Sequence, residues 1–410
     1  MFRNVSYLFV AQLIGMLVPI LEVPLLAKSL GPSQYGTLVF VQSLALLFSI
    51  LVEYGFNLTG TRDVAKKRDD VGQTKRILAD VYSAKIILSL GVLMVGALLP
   101  FLYPNIKIYY WVFGLLYFLA FGFSTFWFFQ GLEKIGAVVA VELASRLTSL
   151  LFLYLFVSES DDIVWTCSIM SGFAALNTVT GIILAGRMVG YGALSFRRGR
   201  KRIKQGFDLF VYKSANSILL NSGPVLVGFT AGQSSVGAYA LAEKFVRAIA
   251  GFIVPFLTAV FPFFAVRIID ENNQKALALS WLVAVVAFVL GCVSSIFLFL
   301  FAPHIVELFL GQEYAGSEDF LRVFCLIIPF RLFNQAAGLL VFVSLKKDRL
   351  LGRLVILSTI LAVCAAVLLS LSLGGIGVIY GFVIAEFFLF VALLRFGSKF
   401  LGFGSWGKKC

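Results

Sequence analysis

Long apolar stretches alternate with short polar ones along the whole chain, and this pattern predicts membrane-spanning helices. About 20 apolar residues are needed, because a helix rising about 1.5 Å per residue must cross about 30 Å of hydrocarbon. The predicted spans are 5–27, 36–58, 80–102, 108–130, 136–157, 163–186, 207–230, 236–262, 276–302, 318–344, 350–372 and 374–396. Because the connecting loops are short, we expect an all-α polytopic membrane protein with about 12 transmembrane helices.

A short turn is written twice, about half a chain apart. Residues 27–40 read AKSLGPSQYGTLVF and residues 228–241 read GFTAGQSSVGAYAL. Both contain the pattern G-x-S-x-x-G, which begins at Gly31 in the first copy and at Gly232 in the second. Each copy follows the first span of a six-span half. We therefore predict two parallel-repeat six-helix lobes around a central cavity, related by an axis along the membrane normal.

The longest polar interruption suggests where the two lobes meet. It follows the sixth predicted span and carries the basic sequence RRGRKRIK at 197–204. We predict an N-lobe at 1–190, a basic cytoplasmic linker at 191–206 and a C-lobe at 207–410. Basic loops of this kind orient membrane proteins, and they can also attract anionic head groups. We prefer the first interpretation.

Composition and charge agree with a membrane protein. The chain is 60% hydrophobic and only 13% charged, with a mean hydropathy of +0.96, whereas soluble domains carry about 25% charged residues. The formal net charge is +13. The basic residues gather in alternate loops, which places those loops and both termini in the cytoplasm by the positive-inside rule. The charge then reflects topology, and we expect no nucleic-acid partner.

Neither a cofactor nor a metal is indicated. The five cysteines form no CxxC pair, and His304 is the only histidine, so neither disulfides nor metal ligation is expected. The apolar N-terminal stretch is long and contains Glu22 and Pro19. We interpret it as a retained first span rather than a cleaved signal peptide.

Ten charged residues are taken to lie well inside the predicted spans, where each costs about 2.5–3.5 kcal/mol at the bilayer centre. The cations are Arg146, Lys213, Lys244, Arg247 and Arg331, and the acids are Glu22, Glu53, Glu142, Glu243 and Glu386. Glu142/Arg146 and Glu243/Arg247 have i,i+4 spacing, which favours ion pairs that only hold helices together. In the second half the cations outnumber the nearby acids. We therefore predict a cationic cavity that binds an anionic substrate.

The acids and prolines suggest further roles. Glu22 and Glu386 are candidates for coupling to a proton or cation gradient, or else are simple packing partners. Proline bends a helix by removing a backbone hydrogen bond. Those inside the first, seventh and eighth predicted spans are candidate gating positions, with an ordinary kink as the alternative: Pro19, Pro24, Pro224, Pro255 and Pro262.

Several stretches resemble the polysaccharide transporter family, specifically its Wzx-type O-antigen flippases, in the superfamily that also contains multidrug extruders and lipid II flippases. They are LLAKSLGPSQYGTLVF at 25–40, EYGFNLTGTRDVAKK at 53–67, WFFQGLEKIGAVVAVELASRL at 127–147 and LFLGQEYAGSEDFLRVFCLIIPFRLFNQ at 308–335. The resemblance implies twelve helices around a cavity that opens alternately to each side. It also implies a bacterial inner-membrane location and a substrate of undecaprenyl diphosphate bearing an O-antigen oligosaccharide, moved outward for lipopolysaccharide biosynthesis. An O-antigen polymerase and a chain-length regulator would be its partners.

Two other functions remain open from the sequence. A multidrug extruder expels organic cations and would favour an acidic cavity, whereas this chain has spare bases. A membrane-embedded polymerase or glycosyltransferase would need a large outer loop with clustered charges, and the acidic SESDD at 158–162 is too short. We therefore expect a transporter rather than an enzyme.

Overall fold

The computed structural model describes residues 2–269, 274–311, 314 and 317–398. Within these ranges every regular element is a helix. By compactness the chain divides into a first unit, Met1–Val225, and a second unit, Leu226–Cys410. The division falls inside one long helix.

The first unit contains eight helices and most of a ninth. They are α1 (Phe2–Glu53), α2 (Phe56–Lys66), α3 (Val71–Gly96), α4 (Leu99–Leu102), α5 (Ile108–Gly122), α6 (Phe126–Gly131), α7 (Gly136–Phe156), α8 (Ile163–Val189) and α9 (Phe196–Ala231). A single 3₁₀ turn, Ser160–Asp162, precedes α8. Residues 196–206, predicted as part of a linker, are helical and continuous with the span that follows.

The second unit begins with the last six residues of α9. Its other helices are α10 (Gln233–Ile269), α11 (Gln274–Leu310), α12 (Ser317–Cys325), α13 (Ile327–Ala337) and α14 (Asp348–Ser398). A π-helical segment, Gly338–Val343, continues α13. Single turns of this kind occur frequently at functional sites.

Glycines with positive φ divide the longest helical runs. The backbone of α1 leaves the helical region at Gly31 (φ 70°, ψ 169°) and that of α14 at Gly374 (φ 59°, ψ −140°). Gly232, between α9 and α10, has φ 82°. Glycine adopts this region without the steric cost that a Cβ atom brings. Gly31 and Gly232 open the two copies of the repeated motif, so both copies make the same kind of break.

The protein is a multi-pass membrane protein. Among the described residues, nine helical segments are long and apolar enough to cross a bilayer. Two of these, Leu21–Lys66 and Asp348–Ser398, contain the breaks at Gly31 and Gly374, so each holds more than one predicted span. The polar α9 is a further helix of transmembrane length, in agreement with the predicted arrangement of spans.

Within the described ranges, short breaks between helices interrupt four of the predicted spans: 36–58, 80–102, 108–130 and 318–344. The stretch 108–130 forms α5 and α6, with a break at Phe123–Thr125. A break inside a span exposes backbone carbonyls that have no water to bind, so neighbouring side chains must satisfy them.

Candidate functional site

The charged residues inside the second unit form a cluster on three helices. Tyr239, Glu243 and Arg247 lie one turn apart along α10. Arg331 and Asn334 lie on α13, and Glu386 lies in the second half of α14. The i,i+4 spacing places the α10 side chains on one face of that helix.

Glu243 and Arg247 form the ion pair that their spacing predicts. Arg247 Nη2 donates to Glu243 Oε1 at 2.8 Å. Arg247 Nε is buried and has no hydrogen-bond partner among the described residues. The hydroxyl of Tyr239 is also buried, and it interacts electrostatically with both charged side chains. Arg247 thus binds Glu243 through Nη2 alone, and the other N–H groups of its guanidinium are not used in this ion pair.

A second ion pair joins α13 to α14. Arg331 Nε lies 4.0 Å from Glu386 Oε1, and Asn334 Nδ2 donates to Glu386 Oε2 at 2.8 Å and to the Glu386 backbone oxygen at 3.0 Å. The Glu386 side chain is only 11% exposed and that of Arg331 is 21% exposed. Since Tyr239 also interacts with Arg331, the two ion pairs belong to one polar cluster.

The first unit has its own, less charged cluster. On α7, Arg146 donates to Glu142 Oε1 through Nη2 at 2.8 Å and through Nε at 3.1 Å. Gln42 Nε2, on α1, donates to the hydroxyl of Tyr117 on α5 at 2.9 Å. Tyr117 interacts electrostatically with Glu22 and with Arg146. The hydrogen-bonded pair Gln42–Tyr117 is therefore connected to the ion pair Glu142–Arg146.

The other predicted residues are placed as follows. Lys244 is half-buried on α10, and Glu53 is half-buried at the end of α1. The side chains of Lys213 and Pro19 lie outside the described residues. Pro24 lies within α1, Pro224 within α9, and both Pro255 and Pro262 within α10. Among the described residues no group of three His, Cys, Asp or Glu side chains could hold a metal ion.

Carboxylates offset much of the buried positive charge. Arg146, Arg247 and Arg331 each have a carboxylate oxygen within 4.0 Å. Their side chains are nevertheless 38%, 36% and 21% exposed. Pairing lowers the cost of placing a guanidinium at membrane depth. The role of these arginines toward a substrate stays a prediction.

Sequence reasoning missed Lys85. This lysine, on α3, is fully buried, and its Nζ donates to the backbone oxygen of Ser124 at 3.0 Å. Ser124 lies in the break between α5 and α6. The signal that the sequence offers is a single lysine inside the predicted span 80–102.

Two further side chains donate hydrogen bonds to backbone carbonyl groups at the same break. Tyr82 donates its hydroxyl hydrogen to the backbone oxygen of Phe123 at 3.4 Å, and Thr178 on α8 donates to that of Ala120 at 2.7 Å. Together with Lys85 they bind three carbonyl groups at the end of α5. This interrupted span is therefore held by the helices on either side of it.

The chain has identifiable relatives. The sequence profile described as "Polysaccharide biosynthesis protein" matches residues 1–267. A protein of Escherichia coli K12 named "Putative O-antigen transporter" is 29% identical in an alignment of 337 positions that covers 78% of this chain and 78% of its own. A Shigella dysenteriae protein of the same name is 23% identical over 397 residues, covering 96% of this chain and 99% of its own.

Solved structures share the fold. The structure titled "Lipid II flippase MurJ, inward closed conformation" superposes with a TM-score of 0.73 at 16% identity, covering 96% of this chain and 87% of its own. An inward-facing multidrug resistance transporter of the MATE family gives 0.66 at 14% identity, covering 96% and 100%. At these identities the likeness concerns the fold. The sequence match over more than half of its length shows that the chain belongs to the polysaccharide biosynthesis protein family.

Proposed function

We propose that this protein is a flippase for a lipid-linked oligosaccharide, the undecaprenyl-diphosphate-linked O-antigen repeat unit. It would move this lipid from the cytoplasmic to the outer leaflet of a bacterial inner membrane, with both termini in the cytoplasm, for lipopolysaccharide biosynthesis. The family membership and the names of its relatives support this proposal. An O-antigen polymerase and a chain-length regulator would act next on the same lipid.

The observation that carries the proposal is the polar cluster of the second unit. A diphosphate needs cationic hydrogen-bond donors to leave water, and a guanidinium offers five N–H groups in a planar fork that suits phosphate oxygens. Arg247 has a buried Nε that no described residue binds. Arg331 is held only loosely by Glu386, at 4.0 Å. Both therefore have donors available for a diphosphate.

The remaining predicted residues fit supporting roles. Arg146 would bind sugar or phosphate oxygens from the first unit, and Lys213 and Lys244 would add positive charge. Glu22, Glu53, Glu142, Glu243 and Glu386 would balance these charges or couple transport to a proton or cation gradient. Bending at Pro19, Pro24, Pro224 or Pro255 would open the substrate site alternately to each side.

The test is O-antigen display in cells that lack the native gene and carry Arg247→Ala or Arg331→Ala. We expect each variant to lose most display, and lipid-linked repeat units to accumulate on the cytoplasmic face. Arg322→Ala is the matched control, because Arg322 lies on α12 in an exposed pair with Asp319 at 3.4 Å. All three proteins must be present in the membrane at equal amounts.

Two results would contradict the proposal. Display at the unmodified level in both Arg247→Ala and Arg331→Ala would remove these arginines from substrate binding. Normal display in a strain without the gene, together with a new sensitivity to cationic drugs, would instead support a multidrug extruder. Charge-keeping Arg331→Lys should restore part of the display, since it retains the cation but not the planar fork.

A further inference from the structure

The start of α9 is docked on the first unit by one of its faces. Arg198 forms an ion pair with Asp80 of α3, and Arg202 forms one with Asp63 of α2. The backbone N–H of Ser195 donates to Ser83 Oγ at 2.9 Å. A Cβ atom on residue 199 would lie 2.8 Å from the Ser83 carbonyl carbon, so only glycine allows this close approach.

The opposite face carries four further bases. Arg197, Arg200, Lys201 and Lys204 are all exposed. Their spacing of three, one and three residues places them on one side of a helix with 3.6 residues per turn. We call these four residues the basic helix face. Since Arg198 and Arg202 bind carboxylates on the other side, the bases divide into an anchoring pair and an outward-facing set.

Exposed apolar side chains come just before this face in the chain, and one of them begins α9. Tyr191, Leu194 and Phe196 are 64%, 57% and 67% exposed, although each is large and apolar. Exposed aromatic and leucine side chains beside lysines and arginines are the pattern of elements that lie in the headgroup region of a membrane. Their exposed surfaces would meet only water outside a membrane, whereas in the headgroup region the apolar groups meet acyl chains and the bases meet headgroups.

We infer that the basic helix face is a binding surface for anionic phospholipid headgroups of the cytoplasmic leaflet. The orientation that the positive-inside rule predicts places it at that leaflet. An anionic leaflet attracts bases that lie within a Debye length of its surface. The ion pairs of Arg198 and Arg202 hold the start of α9 against α3 and α2. This segment is therefore already ordered before a lipid binds.

The geometry favours a lipid surface over a single diphosphate. The four bases extend over about 10 Å of helix at about 1.5 Å per residue, and all of them are exposed. A pocket for one headgroup would instead bring its donors together and bury them. The arrangement suits several headgroups side by side, and the partner we propose is phosphatidylglycerol or another anionic phospholipid.

Native mass spectrometry of the purified full-length chain tests this inference. The protein is mixed with phosphatidylglycerol and phosphatidylethanolamine in equal amounts, and the lipids that it retains are counted. We expect phosphatidylglycerol to be preferred, and the preference to fall roughly tenfold in the variant with all four bases changed to Gln, since several charge contacts are lost together. High salt should weaken the preference in the unmodified protein.

The matched control removes the same charge elsewhere. Lys346, Arg349, Arg353 and Arg395 are four exposed bases of the second unit, and changing them to Gln should leave most of the preference. An equal loss in both variants, or an unchanged preference in the first, would overturn the inference. So would displacement of phosphatidylglycerol by an equal amount of undecaprenyl diphosphate, because the surface would then be a substrate site.

Smaller variants keep the test decisive if the fourfold variant does not insert. Arg197→Gln/Lys201→Gln and Arg200→Gln/Lys204→Gln each remove two bases and leave Arg198 and Arg202 in place. Each should lose part of the preference for phosphatidylglycerol. A fourfold Arg/Lys exchange, which keeps all the charges, should retain it. An unchanged preference in both double variants would equally overturn the inference.

Discussion

The two units hold buried positive charge in different ways. In the first, Lys85 is fully buried and donates to a backbone carbonyl, that of Ser124. In the second, Arg331 is nearly buried and lies 4.0 Å from the Glu386 carboxylate, which Asn334 also binds. A backbone carbonyl cannot change its charge, whereas a carboxylate can bind a proton or exchange one cation for another. The Arg331–Glu386 pair therefore has the chemistry for a changeable site, whereas the hydrogen bond from Lys85 to Ser124 joins a cation to a fixed dipole.

The alignment of the repeated turn sharpens this contrast. Placing Gly31 on Gly232 also places Gln42 on Glu243, with no gap. Gln42 binds the Tyr117 hydroxyl, and Glu243 binds Arg247. The same position after the turn thus carries a neutral amide in one unit and a carboxylate in the other.

The largest effect is expected from Glu386→Ala. It leaves Arg331 without its carboxylate, and removing one partner of a buried pair costs about 3–5 kcal/mol. Glu142→Ala in the first unit breaks a pair whose arginine is 38% exposed, and exposed pairs contribute only about 0–1 kcal/mol. Chemical unfolding in detergent measures both free energies of unfolding.

A double variant separates the ion pair from general damage to the helix contact. Arg331→Met/Glu386→Leu should be more stable than Glu386→Ala, because no single charge stays buried. It should nevertheless show no O-antigen display. Equal losses of stability in Glu386→Ala and Glu142→Ala would show that the ion pairs of the two units contribute equally to stability.

The next effect concerns Lys85→Met. The substitution keeps the apolar length of the side chain and leaves the Ser124 carbonyl without this donor, which costs about 1–3 kcal/mol. Lys134→Met is the control, because Lys134 is exposed after α6. If Lys85 has only a structural role, the surviving Lys85→Met protein should transport at the unmodified rate per molecule. A loss of transport without a loss of stability would instead place Lys85 in the transport site.

The spans and the local ion pairs could be predicted from the sequence, because each depends on spacing along one helix. Glu243 and Arg247 are four residues apart, and their hydrogen bond at 2.8 Å confirms what that spacing predicts. Gly31 and Gly232 could be found as a repeated pattern because a turn is specified by a few neighbouring residues.

The contacts between helices could not be predicted in this way. Arg331 and Glu386 lie on different helices with the whole of another predicted span between them, so no local period connects them. Lys85 and Ser124 are 39 residues apart. Moreover, the acceptor is a backbone carbonyl, which every residue possesses, so it leaves no signal in the sequence. The break at Phe123–Thr125 was hidden because it is short and aromatic residues flank it on both sides, so the apolar stretch resumes at once.

A third prediction compares the two turns. Gly232→Ala places a Cβ atom at φ 82°, and a non-glycine residue in the left-handed region costs about 1–2 kcal/mol. Gly31→Ala should cost a similar amount. Gly91→Ala is the opposite case, because Gly91 lies within α3 and its Cβ would meet nothing within 4 Å. That substitution should stabilise the helix by about 0.5–1 kcal/mol. If Gly31→Ala or Gly232→Ala cost no more stability than Gly91→Ala, that result would contradict a strained backbone shared by the two turns.

The smallest effect is expected for the neutral pair of the first unit. Gln42→Met removes the hydrogen bond to the Tyr117 hydroxyl at 2.9 Å, and a neutral hydrogen bond contributes about 0.5–1.5 kcal/mol. Gln42→Met, Tyr117→Phe and the double variant form a cycle whose coupling energy isolates this bond. Glu243→Gln makes the matching position of the second unit neutral and should reduce transport far more than Gln42→Met does. If Gln42→Met abolished O-antigen display at unchanged stability, the first unit would take part in substrate binding as directly as the second, and the functional contrast between the units would be lost.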